Sequence, residues 1–407
     1  MGDVSYVEMG QSPPSEFVSD RPGSGMPFLQ GNAEFTDRFP RPRLWCARPK
    51  KIANARDILI SVRAPVGAIN RADQDYCIGR GLAAVRFTGI DPGFGYHALA
   101  KFSAALNRVA QGTTFDAISG EDLRRLTLPV CQRREQRRIA EILDTADEAV
   151  LDTEQLIAKL ERMKQGLLCD LFTRGIDENG ELRDPELHPE DFKDSAAGRI
   201  PSDWHIEPFA TRCASSAFGP RFSSDLYTPD GAVATLRTSD MDDEGNITLE
   251  TMPRAAIVPN AMASHLLVRG DLLISRSGTC GIAAVFPGYE MPVVPGAFLI
   301  RFRLHDRVFA DFFRRYFNSA VGRPRLDRLA VGGVQKNIKG SEVLALGVPV
   351  CSPVEAARIV EVTESIDGRV RDEYAELNKL RSITAGLMQD LLTGRVRVTK
   401  LLEGDAA

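Results

Sequence analysis

The stretch 112-GTTFDAISGEDLRRLTLPVCQRREQRRIAEILDTADEAVLDTEQLIAKLERMKQGLLCDLFTR-174 decides the fold, because the chain contains it twice. It aligns without a gap with 332-GGVQKNIKGSEVLALGVPVCSPVEAARIVEVTESIDGRVRDEYAELNKLRSITAGLMQDLLTG-394, and 21 of the 63 aligned positions are identical. A second match aligns 57-DILISVRAPVG-67 with 271-DLLISRSGTCG-281. Duplication on this scale indicates two structural repeats, each a variable globular part followed by a similar helical part. A duplication without functional meaning is the alternative.

The tail of each repeat has the period of a long amphipathic helix. Apolar or small residues recur at steps that alternate between three and four, which is a heptad pattern. No proline interrupts either run, and each predicted helix of about 40 residues would be about 60 Å long. The residues predicted to pack along the two seams are Ile139, Ile142, Leu156, Leu160, Met163, Leu167, Ile359, Ile366, Val370, Leu377, Leu380 and Leu387. Antiparallel pairing of the two helices buries both seams and places the globular parts at opposite ends, whereas parallel pairing needs a connection that doubles back.

The globular parts have the pattern of strand-rich domains. Short apolar runs bounded by Gly, Pro and Asp predict strands. These runs are 57–62, 81–87, 271–276, 281–286 and 297–304, with short strands at 127–130 and 347–350 before the long helices. Helices are predicted at 96–109 and 307–321, and the polar, turn-rich segment 174–204 predicts a linker.

The predicted fold class is therefore α+β, with two globular, strand-rich domains and two long antiparallel helices related by a pseudo-two-fold axis. The predicted boundaries are 1–130 for the first globular domain, 131–174 for the first helix, 175–200 for the linker, 201–350 for the second globular domain, 351–395 for the second helix and 396–407 for the tail.

The composition limits the class of protein. No run approaches the ~18 apolar residues of a membrane helix, and the N-terminus lacks the pattern of a signal peptide. Seven scattered cysteines form no CxxC pair, which predicts neither a disulfide framework nor a zinc site and favours a cytoplasmic location. The net charge is −4, but the acidic excess lies in 131–200, where 17 Asp and Glu face 11 Lys and Arg. The globular parts are mildly basic, which is compatible with nucleic-acid binding.

The sequence contains no recognisable catalytic motif. It lacks HExxH, the phosphate-binding GxxxxGK[ST] loop and the GxSxG turn of a nucleophilic serine. We therefore predict a binding protein with no catalytic residues and no metal or cofactor of its own. The alternatives are a helical scaffold that binds only protein, and a nuclease or methyltransferase with an unrecognised site.

Candidate DNA contacts come from basic clusters and from two glycine-containing loops. Arginine, lysine, asparagine and glutamine are the side chains that usually read base edges or phosphates. The candidates are Arg41, Arg43, Arg48, Lys50, Lys51, Arg63, Arg276, Arg314, Arg315, Arg323, Arg325, Gln335, Lys336 and Asn337. The loop 111–114 is the counterpart of 332–337 in the first repeat. A solvated loop, a tight turn or a structural salt bridge is the alternative at each position.

Several motifs resemble the specificity subunit of type I restriction-modification systems, over essentially the whole chain. The first half contains GQSPPS (10–15), MPFLQGNAEF (26–35), DILISVRAPVG (57–67) and CIGRGLAAVRF (77–87). The second half contains GRIPSDW (198–204), LRTSDMDDEGNI (236–247) and GDLLISRSG (270–278). The tails LPVCQRREQRRIAEIL and VPVCSPVEAARIVEVT are similar to conserved regions of that family.

The sequence departs from the family pattern at three places. Cys131 and Cys351 stand where a second proline is usual, and Ala356 replaces the usual glutamine. The leader that usually precedes Gly2 is missing, so we expect the first domain to be truncated or its start misassigned.

The resemblance implies two target-recognition domains that each read one half of a bipartite DNA target. The helices would set the spacer and dock two methyltransferase subunits, which restriction and translocase subunits would join. AdoMet, ATP and Mg²⁺ would belong to those partners. The sequence does not indicate which bases are read.

Overall fold

The structure is a computed structural model that describes residues 1–103, 106, 117–332 and 336–399. The chain divides into two compact units. Unit 1 consists of Met1–Leu156 together with the chain from Glu373 onward, and unit 2 consists of Ile157–Asp372. Each long helix therefore contributes one part to each unit.

The elements of the first half precede and include the first long helix. The strands are β1 (Ser5–Met9), β2 (Val18–Ser19), β3 (Met26–Leu29), β4 (Leu44–Cys46), β5 (Ile52–Ala53), β6 (Ile58–Ser61), β7 (Ile69–Arg71), β8 (Tyr76–Ile78) and β9 (Leu82–Phe87). The helices are α1 (Pro92–Phe102), α2 (Gly120–Arg125) and the long helix α3 (Arg133–Arg174).

Unit 1 is built from two sheets and the helices that cover one of them. Strands β1, β9, β6 and β7 form an antiparallel sheet in that order, and the second sheet has the order β2-β4-β3-β8-β5. Side chains alternate between the faces of a strand. Ile58 and Ile60 of β6 accordingly join the core beneath α1 and α3. Leu59, between them, joins the core beneath the second sheet.

The elements of the second half follow in the same kind of order. The strands are β10 (Phe192–Ser195), β11 (Gly198–Pro201), β12 (His205–Pro208), β13 (Cys213–Phe218), β14 (Val233–Leu236), β15 (Arg254–Ala255), β16 (Leu272–Ser275), β17 (Ala283–Val285), β18 (Val293–Pro295), β19 (Leu299–Leu304) and β20 (Gly347–Val350). The helices are α4 (Val308–Asn318), α5 (Arg323–Asp327), α6 (Gly340–Ala345) and the long helix α7 (Pro353–Leu392).

Unit 2 repeats the main sheet of unit 1. Its main sheet has the order β13-β19-β16-β17, which matches β1-β9-β6-β7, and a smaller sheet has the order β15-β14-β18. Leu272 and Ile274 of β16 pack beneath α4, while Leu273 packs against the smaller sheet. The α+β fold and the duplication predicted from the sequence are therefore confirmed.

The repeat extends to single hydrogen bonds at the start of the central strand. In unit 1, the guanidinium of Arg86 donates to both carboxylate oxygens of Asp57, at 2.7 and 2.8 Å. In unit 2, Arg303 donates to both oxygens of Asp271, each at 2.8 Å. Both carboxylates are almost completely buried, so each needs its bidentate arginine.

The long helices pack antiparallel within each unit. In unit 1, Ile139 shares a core with Leu391, and Glu154 further along α3 pairs with Arg381 at 2.7 Å. Because the residue number rises on α3 while it falls on α7, the helices run in opposite directions.

The same crossing recurs in unit 2. There, Lys164 of α3 pairs with Asp367 of α7 at 2.9 Å. Further along α3, Leu171 shares a core with Ile359. The antiparallel pairing predicted from the heptad pattern therefore holds in both units.

The buried seam of α3 differs from the predicted heptad seam. Leu156 and Met163 are exposed, so the prediction that they pack is wrong for the described chain. Ile157 and Lys164, which were not predicted, are buried instead, one on each side of the predicted Leu160. A nearly straight α-helix drifts by about 20° per heptad relative to a strict seven-residue repeat, which moves the buried face to neighbouring positions. The other predicted seam residues are buried or half-buried: Ile139, Ile142, Leu160, Leu167, Ile359, Ile366, Val370, Leu377, Leu380 and Leu387.

Two further predictions fail locally. Residues 127–130 form no strand, because no described strand of unit 1 lies beside them, whereas β20 pairs with β12. The predicted linker is folded: β10 and β11 form a hairpin, and Ile176, Ile200 and Trp204 lie in the core of unit 2. The prediction failed because the segment is polar on average, although these few apolar side chains are buried.

The predicted helix at 96–109 begins earlier, at Pro92, and its described part ends at Phe102. Residues 107–109 lie outside the described ranges. None of the helices in the described ranges combines the length and apolar character that a membrane span needs.

Candidate nucleic-acid interface

Two loops meet beyond the C-terminal end of the central strand in unit 2. Ser277 and Asn337 form an antiparallel bridge, and the amide of Ile338 donates to the carbonyl of Arg276 at 2.9 Å. Nε of Arg276 donates to Oδ1 of Asn337 at 3.2 Å, and its guanidinium lies 4.6 Å from the ring centre of Phe218. We call these two loops, which contain Arg276, Lys336 and Asn337, the reading loops of unit 2. They present a positioned guanidinium, an exposed ammonium and an exposed amide.

Unit 1 contains the same pair of loops with different side chains. Arg63 and Ala117 form the antiparallel bridge, and the amide of Ile118 donates to the carbonyl of Val62 at 3.0 Å. The structure thus places Arg63, which is exposed, at the position of Ser277 in the repeat. The backbone frame is shared, while the side chains that it presents are not.

A cleft beside Arg63 contains residues that the sequence analysis did not single out. The cleft has a volume of about 460 Å³ and is lined by Gln30, Asn32 and Arg80 as well as Arg63. A Cβ added to Gly81 would lie 2.4 Å from the carbonyl oxygen of Gln30, so glycine is required where the two segments meet. The sequence could have indicated this cleft through the run QGN in MPFLQGNAEF, where a glutamine and an asparagine, both able to pair with base edges, flank a glycine.

The basic segment 41–51 divides into free and engaged side chains. Arg41, Arg43 and Lys50 are exposed. Arg48 is also exposed, and its guanidinium lies 4.8 Å from the ring centre of Phe17.

Lys51 differs from its neighbours because it pairs with Glu8 at 2.5 Å. The hydrogen bond that Lys51 donates to Glu8 raises the pKa of this lysine. Lys51 is therefore the member of the segment whose charge is already matched.

The arginines of 314–325 are held within unit 2. Arg315 is buried and pairs with Asp367 at 2.6 Å, so the prediction that it contacts DNA is wrong. The apolar face of α4 lies against the core, and Arg315 on this face reaches α7. This contact could not be seen in the local sequence.

The other three arginines of this segment are half-buried and bonded internally. Arg314 donates to Asp311 at 3.2 Å. Arg323 donates to the carbonyl of Cys280 at 3.0 Å, and Arg325 donates to the hydroxyl of Tyr316 at 2.8 Å. Their first role is to hold the fold, so the segment does not form the free basic patch predicted from the sequence.

Gln335 and the loop 111–114 lie outside the described residues. Within the described ranges, no group of His, Cys, Asp and Glu side chains is arranged to hold a metal ion.

A family model matches the first part of the chain. Residues 1–162 match the type I restriction modification DNA specificity domain. Over 180 residues the chain is 36% identical to a protein of Methanocaldococcus jannaschii described as a type I restriction enzyme MjaX specificity subunit; this match covers 43% of the chain and 42% of that protein. The type I restriction enzyme MjaVIII specificity subunit of the same organism is 23% identical over 319 residues, which are 75% of this chain and 70% of that protein. The chain thus spans less than half of the first relative and more than two thirds of the second.

Solved structures share the fold at low sequence identity. The S subunit of a type I restriction-modification system from M. genitalium matches with a TM-score of 0.59 and 16% identity, covering 96% of this chain and 94% of that one. A chain from a structure on complex assembly and conformational transition of the type I R-M system matches with a TM-score of 0.58 and 16% identity, covering 96% of each chain. These structures confirm the fold, and the match of residues 1–162 together with the first relative confirms the family resemblance predicted from the sequence.

Proposed function

We propose that this chain, whose residues 1–162 match the type I restriction modification DNA specificity domain, is the sequence-reading, non-catalytic subunit of such a system. Each unit reads one half of a bipartite target in double-stranded DNA. One observation carries the proposal: the two units share the strand order of the main sheet and the backbone bridge beyond its central strand, but the side chains at that bridge differ. A repeated frame with varied side chains suits a protein that must read two unlike half-sites in the same way.

The contacts proposed for each half-site follow from side-chain chemistry. Arginine donates two hydrogen bonds to the edge of guanine, and asparagine or glutamine pairs with adenine. In unit 2, Arg276 and Asn337 are the base-reading candidates, and Lys336 is the phosphate candidate. In unit 1, Arg63 and Arg80 are the strongest candidates, and the exposed arginines of 41–48 are suited to phosphates.

The partners follow from the same proposal. The long helices dock two methyltransferase subunits and set the spacer between the half-sites, and restriction and translocase subunits join that core. AdoMet, ATP and Mg²⁺ are bound by those partners in the cytoplasm. The scaffold and the enzyme with an unrecognised site are the rival functions.

Selection from a pool of randomised duplexes tests the proposal against both rivals. The complex of the chain with its methyltransferase partner is expected to enrich two fixed half-sites separated by a spacer of constant length. Enrichment of no sequence would favour the scaffold. Cleavage or methyl transfer by the chain alone would favour the enzyme.

A deletion in the helices tests the spacer. Removing one heptad from each helix, at the level of the Glu154–Arg381 ion pair, shortens each helix by about 10 Å, or about 3 base pairs. The selected spacer should shorten while both half-sites stay the same. Altered half-sites with an unchanged spacer would contradict this role of the helices.

A further inference from the structure

Unit 2 contains an arginine-lined cleft that the reading loops do not use. It has a volume of about 530 Å³, within the usual range for small-ligand sites. Arg269, Arg307 and Arg314 line it, and Ile247, Val285 and Pro287 supply apolar wall. We call it the arginine cleft. Arg269 precedes the central strand β16, whereas Arg276 follows it, so the cleft lies at the other end of that strand from the reading loops.

Two of the three guanidinium groups lack a counter-ion. Arg314 is held by Asp311 at 3.2 Å and by the carbonyl of Glu244 at 3.4 Å. Arg269 and Arg307 are exposed, and neither has a side-chain hydrogen bond or ion pair with any of the described residues. Asp311 also lines the cleft, but it is paired with Arg314, so the positive charges of Arg269 and Arg307 stay unmatched there and favour an anion.

A cleft in unit 1 that shares one repeat position with the arginine cleft has a mainly acidic lining. It has a volume of about 370 Å³, and Arg71 of β7 lines it at the register position that Val285 of β17 holds in unit 2. Asp37, Asp144, Asp147 and Glu148 line this cleft. If the proposed function holds, two identical methyltransferase subunits would need matched surfaces on the two units. Because the two clefts differ in charge, the arginine cleft does not suit a contact that both methyltransferase copies would make in the same way.

We infer that the arginine cleft binds a phosphorylated ligand of nucleotide size. The planar fork of arginine matches two phosphate oxygens, and arginine is the usual residue for that role. The apolar wall accommodates the uncharged part of such a ligand. The phosphate comes either from the backbone of bound DNA or from a free nucleotide, and the inference rests on the proposed function only in the first case.

Calorimetric titration of the full chain with inorganic pyrophosphate and with AMP tests the site directly. Wild type is expected to bind both, and the R269Q/R307Q double variant is expected to bind at least about tenfold more weakly. The matched control is R221Q/R254Q, which removes two exposed arginines of unit 2 that do not line the cleft. The control should bind as wild type does.

Duplex binding by the complex with the methyltransferase distinguishes the two sources. If DNA supplies the phosphate, R269Q/R307Q should reduce the slope of log affinity against log salt by about 2, without changing the preferred sequence. If a free nucleotide is the ligand, the slope stays the same while AMP binding is lost.

The inference is overturned if wild type binds neither pyrophosphate nor AMP and R269Q/R307Q has the same salt slope as wild type in duplex binding. It is also overturned if R221Q/R254Q loses as much binding as R269Q/R307Q. Sequence preference of the wild-type complex is read in the same assay. A complex that prefers one DNA sequence while the arginine cleft binds neither probe nor DNA would refute this inference and leave the proposed function intact.

Discussion

Unit 1 and unit 2 place the same carboxylate of the repeat in opposite surroundings. Asp147 of α3 faces the buried His97 at 3.7 Å, and burial raises the pKa of this aspartate. Its counterpart Asp367 of α7 pairs with Arg315 at 2.6 Å and with Lys164 at 2.9 Å. Although burial alone would raise the pKa of Asp367, these two cations lower it. The repeat preserves the helix position and varies what packs against it, so equivalent residues differ in their importance to stability.

The largest expected effect is the asymmetry between the two aspartates. D367N leaves the buried Arg315 without its carboxylate partner at 2.6 Å, whereas Lys164, which is also buried, keeps Glu244 at 2.8 Å. Loss of one partner from a buried ion pair costs about 3–5 kcal/mol in the free energy of unfolding. D147N, the matched variant of the half-exposed partner of His97, should change it by less than about 0.5 kcal/mol.

The two tryptophans of the chain make this comparison measurable. Trp204 is fully buried in unit 2, and Trp45 lies in unit 1. Urea unfolding followed by Trp204 fluorescence in a W45F background reports on unit 2 for D367N, and Trp45 fluorescence in a W204F background reports on unit 1 for D147N. Equal shifts in the midpoint for D367N and D147N would contradict the asymmetry.

A smaller effect is expected from the reading loops. R276Q removes the guanidinium that Asn337 and Phe218 position, so the complex should lose about 1–3 kcal/mol of discrimination at one base position. R63Q should act on the other half-site, because Arg63 belongs to unit 1. Competition binding with duplexes mutated in one half-site at a time measures both variants. If R276Q and R63Q weakened discrimination at the same half-site, the assignment of one half-site to each unit would be wrong.

The smallest effect concerns acid sensitivity of unit 1. Burial would raise the pKa of Asp144, but hydrogen bonds from His97 at 3.0 Å and Arg71 at 2.7 Å lower it to about 2. A carboxylate with a lowered pKa stabilises the fold above its unfolded pKa of about 4, and this contribution is lost as pH falls from about 4 to about 2.

The full linkage would be about 2 kcal/mol, and because the side chain is 43% exposed, solvent screening reduces it to about 1 kcal/mol. The difference in unfolding free energy between wild type and D144N should therefore shrink below pH 4. Urea unfolding followed by circular dichroism at several pH values tests this. A difference that grows on acidification would have the wrong sign.

Periodic and repeated features were predictable from the sequence. The alternating three- and four-residue steps predicted both long helices, and the matched DILIS and DLLIS runs predicted the equivalent strands β6 and β16. These features depend on local pattern, so they can be seen without knowledge of tertiary contacts.

Features assembled from distant segments were not predictable. Arg315 was mistaken for a DNA contact because its partner Asp367 is 52 residues away. Gln30 and Arg80, which line one cleft in unit 1, come from separate segments. Trp204 was placed at the end of the predicted linker 174–204, yet its indole donates to the buried Glu355 at 2.9 Å, a contact that only tertiary folding creates.

An exchange of one variable part tests the central claim most directly. Residues 209–346 of unit 2 would be replaced by the corresponding part of another specificity subunit, and the methylated motif would be read by sequencing genomic DNA from cells that also contain the methyltransferase. Two independent readers on a duplicated frame predict one new half-site, one unchanged half-site and the original spacer. A change in both half-sites, or in neither, would contradict the account.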